Sequence, residues 1–264
     1  MTFYYDTTAP TFNWIVDNKT QAQSKEVRLE TSEEIQLPDE GWSLKGEENG
    51  VFVYVKTFYA NWKDKNFTVT DLAGNVSEPQ FVEVKRIDNR RPTVVELTQD
   101  ITDWTNKDVT VTIKTSTDCV APEGWKQVNK RTFTKVFNAN GEYSVTLTSV
   151  TGVTGDAHLF SITNIDKEAP VIDYAAIESA NGYRKEIPVN EGEEYTEEKL
   201  VEMFTKPEWV SDNSGTATFK VDKWGLEHGL DGYQPFTSKT PGEYKVRFYA
   251  YDAAGNNSSF DVYV

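Results

Sequence analysis

The residues with the most reactive side chains are few. The chain of 264 residues holds one cysteine, Cys119, and two histidines, His158 and His228. A thiol nucleophile needs a nearby base to hold it as thiolate, and two histidines leave little choice of partner. His228 follows Glu227 in a glycine-rich run, Trp224-Gly-Leu-Glu-His-Gly-Leu-Asp-Gly232. That run reads as an exposed loop, where an adjacent acid and imidazole need no function. No Gly-x-Ser-x-Gly elbow, phosphate loop or His-Glu-x-x-His pair is present. The chain is expected not to be an enzyme and to use no cofactor.

Two further chemistries have candidate residues. Carboxylates recur before prolines, as Asp88 with Asn89 and as Asp166 with Glu168. Calcium takes roughly six to eight oxygens, and no partner acids follow at the spacing of a dedicated loop. These Asp residues read as caps of linker turns, and no functional metal is expected. The second chemistry is glycan stacking, because 7 Trp and 13 Tyr offer flat amphipathic faces. Trp42 and Trp125 occupy matching positions in a repeat, which points to packing. Trp14 and Trp104 form a second such pair, before the second strand of their repeats. Trp62, Trp209 and Trp224 have no counterpart and are the candidates for facing a ligand.

The elements that must position these residues come in three copies. An Asp precedes a Pro by four residues at Asp6–Pro10, Asp88–Pro92 and Asp166–Pro170, spaced by 82 and 78 residues. Pro fixes φ and biases its predecessor toward extended backbone, so each segment reads as a linker entering a first strand. Pro-Asp-Glu-Gly-Trp42 and Pro-Glu-Gly-Trp125 are each followed by an aromatic-rich run. A penultimate strand comes next, at 66–70, 142–148 and 243–251. A turn follows: Asp71-Leu-Ala-Gly-Asn75, the degenerate Ser149-Val-Thr-Gly152, and Asp252-Ala-Ala-Gly-Asn256. A last strand closes each copy, as in 81–84 and 260–264.

The runs alternate with period two. Val109, Val111 and Ile113 share one face of a strand whose other face carries threonines, the pattern of a half-buried antiparallel strand. Turn residues recur about every ten residues, as in a sandwich or barrel. One helix is predicted, capped by Thr196, with Glu197 and Glu198 at its positive end and Leu200, Met203 and Phe204 on one face. Pro207 ends it. The predicted fold is all-β: three tandem immunoglobulin-like antiparallel β-sandwiches at 1–87, 88–165 and 166–264, the third with a short inserted helix.

The Asp-x-x-Ala-Pro opening, the Asn140-Gly-x-Tyr143 run and the Asp-x-Ala-Gly-Asn turn resemble tandem bacterial immunoglobulin-like domains of Gram-positive surface and secreted proteins. The third copy is similar to a related type, through Val-x-Glu-Gly-Glu-x-Tyr at 189–195 and Val-Ser-Asp-Asn-Ser-Gly at 210–215. The resemblance implies a non-catalytic stalk or spacer that projects other domains of a longer chain, outside the cell, secreted or attached to the wall. It leaves two alternatives: an adhesin module for a host protein or glycan, and an accessory region of a secreted carbohydrate-active enzyme.

Charge narrows the partners. Acidic residues outnumber basic ones 42 to 27, and from Asp166 onward they do so 19 to 10. Nucleic acid needs a basic face, and no apolar stretch approaches the ~20 residues of a membrane span. Neither partner is expected, and the chain is expected to be monomeric. One cysteine excludes an internal disulfide. The abrupt start and stop read as an excised piece of a longer protein. No Gly/Ser-rich tether separates the copies, so they are expected to stack end to end. Units of roughly 35 Å, from strands of ~8 residues at ~3.3 Å each plus loops, would make a rod of ~100 Å.

Overall fold

The computed structural model describes residues 5–182, 186–187 and 194–264. Among them are 17 strands, three α-helices and one 3-10 helix. The chain resolves into two compact units. The first holds everything up to Glu96, then Ile113–Phe133 and Ser144–His158. The second holds Leu97–Thr112, Thr134–Tyr143 and Leu159–Val264.

The first strands in chain order are β1 (Phe12–Ile15), β2 (Lys25–Thr31), β3 (Ser43–Glu48), β4 (Val51–Phe58), β5 (Trp62–Phe67) and β6 (Gln80–Val84). They form an antiparallel sheet in the order β1-β2-β4-β3 and an antiparallel β5-β6 pair. Alternation explains the core of the first unit. In β2 every second side chain is buried, and Val27 and Leu29 meet Tyr54 of β4 and Val82 and Val84 of β6. Residues of both sheets therefore close on one sandwich-like core. Trp14, Phe58 and Trp62 pack against its flank.

The next six are β7 (Val94–Gln99), β8 (Val109–Thr115), β9 (Lys126–Asn129), β10 (Thr132–Phe137), β11 (Gly141–Val145) and β12 (His158–Ile162). They repeat the topology, with a β7-β8-β10-β9 sheet and a β11-β12 pair. Val109, Val111 and Ile113 of β8 are buried and Thr110 and Thr112 are not, as the alternation predicts. Trp42 and Trp125 are both buried, as packing residues at matching positions should be. The penultimate strand begins earlier than expected in the first copy: β5 starts at Trp62, and residues 68–70 lie beyond it.

The last stretch departs furthest from the expected pattern. It contains β13 (Val171–Ile172), α1 (Tyr174–Asn181), α2 (Glu197–Phe204), a 3-10 turn (Pro207–Trp209), β14 (Val210–Ser211), β15 (Ala217–Val221), α3 (Lys223–His228), β16 (Lys245–Asp252) and β17 (Asn257–Tyr263). The expected helix is α2: the Thr196 hydroxyl accepts from Lys199 N at 3.2 Å, and Leu200 and Phe204 are buried. A single helix was too few. Asp173 caps α1 through Ala176 N, and Gly182 ends it in the left-handed region. Asp222 caps α3 through Gly225 N. Both are short, and α1 has a weak apolar stripe, so their caps outrank their periodicity as signals. The β15-β16-β17 sheet and the helices share one core, with Ile177, Leu200, Phe204, Trp209, Phe248 and Val262 at its centre. Among the described residues no helix is long and apolar enough to cross a membrane.

Candidate functional site

The recurring structure outside the cores is a clasp between each Asp linker and a turn. In the first unit, Asp71 accepts from Asn75 N at 2.7 Å and from Asn75 Nδ2 at 2.8 Å. The same Asn75 amide donates to the Asp6 carbonyl at 3.2 Å. Burial pushes the Asp71 carboxyl upward, but the Asn75 side chain and the surrounding backbone N–H groups outweigh it. The net effect holds Asp71 below its ordinary range. In the second unit, Asn256 makes the matching bonds to Asp252 at 2.8 and 2.7 Å and donates to the Asp166 carbonyl at 2.9 Å.

The turn at Ser149 looked degenerate but keeps the device with hydroxyls. Ser149 Oγ accepts from Val153 N at 3.0 Å and lies 2.8 Å from Thr151 Oγ1, and Thr151 Oγ1 donates to the Asp88 carbonyl at 2.8 Å. A hydroxyl can accept a turn N–H as a carboxylate does, which is why the sequence can drift while the geometry persists.

The linkers are held from the other side as well. Asp88 N donates to Ala22 O at 2.9 Å, and Asp166 N donates to Thr105 O at 2.9 Å. The residue before each Asp is bridged in parallel, Ile87 to Ala22 and Ile165 to Thr105. Asn61 Oδ1 accepts from Ile87 N, and Asn140 Oδ1 from Ile165 N, both at 2.8 Å. The Asn140 run therefore pins the linker.

A third residue joins each clasp. Thr11 and Ser32 exchange bonds, as do Thr93 and Ser116, and Val171 pairs with Ser211. The residues that follow these serines are Glu33, Thr117 and Asp212. The fold thus collects Asp6, Glu33 and Asp71 in the first unit and Asp166, Asp212 and Asp252 in the second. Each trio has carboxylate oxygens within 4.8 Å of one another. Burial, then the Asp6 and Asp71 charges, push Glu33 up. The middle clasp has Asp88, Thr117 and Ser149 instead. There Thr117 Oγ1 donates to Asp88 at 2.7 Å, and Arg90 forks onto both Asp88 oxygens at 2.9 and 3.0 Å. Arg90 first, with Thr117 assisting against burial, holds the Asp88 carboxyl well below the usual range.

The aromatic candidates separate. Trp209, expected to face a ligand, is instead 5% exposed and packs in the core of the second unit with Ile177, Leu200 and Phe204 of the helices. Trp62 is half-buried and stacks on Trp14 at 5.6 Å, as a wall of the first core. Trp224 is 63% exposed and stacks on His228 at 4.8 Å. The first part of their run, to His228, is helical rather than a loop, which places residues four apart on one face. Trp14 and Trp104 are not equivalent: Trp14 lies in β1, whereas Trp104 lies between β7 and β8 beside a shallow depression with Asp103 and Asn164. Of the run at 189–195, residues 189–193 lie outside the described residues.

Cys119 bridges Ser149 as Ile35 bridges Asp71, and both are buried. Burial pushes its thiol above the usual range, away from the reactive thiolate. Ellman's reagent is expected to leave the native chain unlabelled and to titrate one thiol after denaturation. Fast labelling of the native chain would contradict a packing role.

Comparison with protein-family models and with curated proteins finds no match for this chain.

Proposed function

We propose that the chain is a run of three immunoglobulin-like modules, at 1–87, 88–165 and 166–264, acting as a non-catalytic stalk or spacer. It would project other domains of a secreted or wall-attached protein. The supporting observation is the doubly held linker. The Asp88 N–H donates to Ala22 O and its carbonyl accepts from Thr151 Oγ1; the Asp166 N–H donates to Thr105 O and its carbonyl accepts from Asn256 Nδ2. A linker whose leading residue has both backbone groups bonded has less freedom to bend, and a spacer needs joints of that kind. The adhesive alternative draws support from one residue, the exposed Trp224 stacked on His228.

Solution scattering tests the spacer. A globule of this length would have a radius of gyration of about 18 Å by the usual scaling, and a rod of three modules one above ~25 Å. The larger value is expected. A value near the globular one would overturn the spacer and favour modules folded around a shared binding surface.

A further inference from the structure

We propose that Asp166, Asp212 and Asp252 bind a hard divalent cation, and that calcium is the ion whose chemistry the site fits. The proposal goes beyond the spacer reading and does not depend on it. It also reverses the expectation that the linker acids are only caps.

Geometry comes first. Calcium holds oxygens at about 2.3–2.6 Å, so ligands on opposite sides lie about 4.6–5.2 Å apart. Three carboxylate oxygens within 4.8 Å of one another can all reach one ion. Water would complete the shell, which calcium accepts in irregular numbers.

The second observation is an orphaned oxygen. Asp166 is 4% exposed, and its Oδ1 accepts from Glu168 N at 3.0 Å. Its Oδ2 is buried with no hydrogen-bond partner, the only such side-chain atom among the described residues. A buried carboxylate oxygen without donor or counter-charge is costly. The other two acids are held in place: Asp212 Oδ1 accepts from Ser214 N at 2.8 Å, and Asp252 accepts twice from Asn256.

The middle clasp shows what is missing. Asp88 meets the Arg90 guanidinium, and its two neighbours are the neutral Thr117 and Ser149. At the third clasp both neutral residues become acids, and the nearby Lys167 pairs with Asp108 at 2.6 Å. Among the described residues no Lys or Arg pairs with Asp166. Charge has been added and the cation removed in the same place, and a bound metal ion restores the balance. The Asp6 trio has an exposed Asp6 and no orphaned oxygen among the described residues, so the assignment stays with Asp166.

The test titrates calcium into the EDTA-treated full chain by calorimetry, with melts in EDTA and in calcium. Asp166→Asn and Asp212→Asn are run beside the unmodified chain. One saturable site is expected in the unmodified chain, with a folding equilibrium shifted about 100-fold at calcium near 100 times its dissociation constant. Both variants should lose that response. In EDTA, Asp166→Asn should melt at or above the unmodified chain, because its amide can donate where Oδ2 has no partner. Should that variant fold poorly, Asp212→Asn decides alone, since its side-chain oxygen can keep the Ser214 bonds. Coincident melts and no binding heat in the unmodified chain would overturn the proposal. So would binding that survives both substitutions. The scattering result bears on neither outcome, so the two readings fail separately.

Discussion

Phe204→Ala is expected to destabilise the second unit by about 3–5 kcal/mol, the range for deleting a buried aromatic ring. Phe204 is fully buried, 5.7 Å from Phe248 and 6.3 Å from Phe260 by ring centroids. Those rings belong to β16 and β17, so α2 supplies the cover of the sheet rather than an appendage to it. Met203, one residue earlier, is only partly buried against the same cluster, and Met203→Ala should cost clearly less. Denaturant unfolding followed by near-ultraviolet dichroism measures both. A Phe204→Ala loss below about 1 kcal/mol would mean that the helix does not close the core.

Gly155→Ala is expected to cost about 1–3 kcal/mol or more, as overpacking against an atom that cannot give way. A Cβ at Gly155 would lie 2.1 Å from the Pro92 carbonyl oxygen, which is backbone of the linker itself. Gly155 N also donates to Leu147 O at 2.9 Å, so the glycine side cannot easily retreat. The substitution forces apart the linker and the segment after the Ser149 turn. Gly141→Ala is the matched control: the nearest atoms to its new Cβ would be those of the Tyr143 side chain, at 3.4 Å. The control should be close to neutral. Equal melting temperatures for the two variants would show that the linker is not seated on that segment, and would weaken the stiff-joint reading with it.

The strand pattern was legible because its cause is local. Alternation in Val109–Thr115 and the Thr196 cap depend on residues within one turn or one pleat, and both appear in the fold as read. Trp42 and Trp125 could be placed in cores because the same packing demand recurs in two copies. Trp209 could not, because its burial depends on helices that the other copies lack. The short helices α1 and α3 carried the caps Asp173 and Asp222, but too few turns for periodicity to register. The clasps lay wholly beyond linear reading. Asp166, Asp212 and Asp252 are 46 and 40 residues apart, and a spacing search for ligand loops sees each as a lone acid. The Val-Ser-Asp-Asn-Ser-Gly run and the Asp-x-Ala-Gly-Asn turn were both visible as motifs. Only the tertiary fold, in which Ser211 pairs with Val171 and the Asn256 amide donates to the Asp166 carbonyl, brings their acids to one point. Composition, period and caps thus determined what each segment forms, because those preferences act between near neighbours. Which distant carboxylates share a site, and which of their oxygens is left without a partner, was decided by tertiary structure, because only packing brings residues 40 apart together and buries the Asp166 oxygen away from a donor.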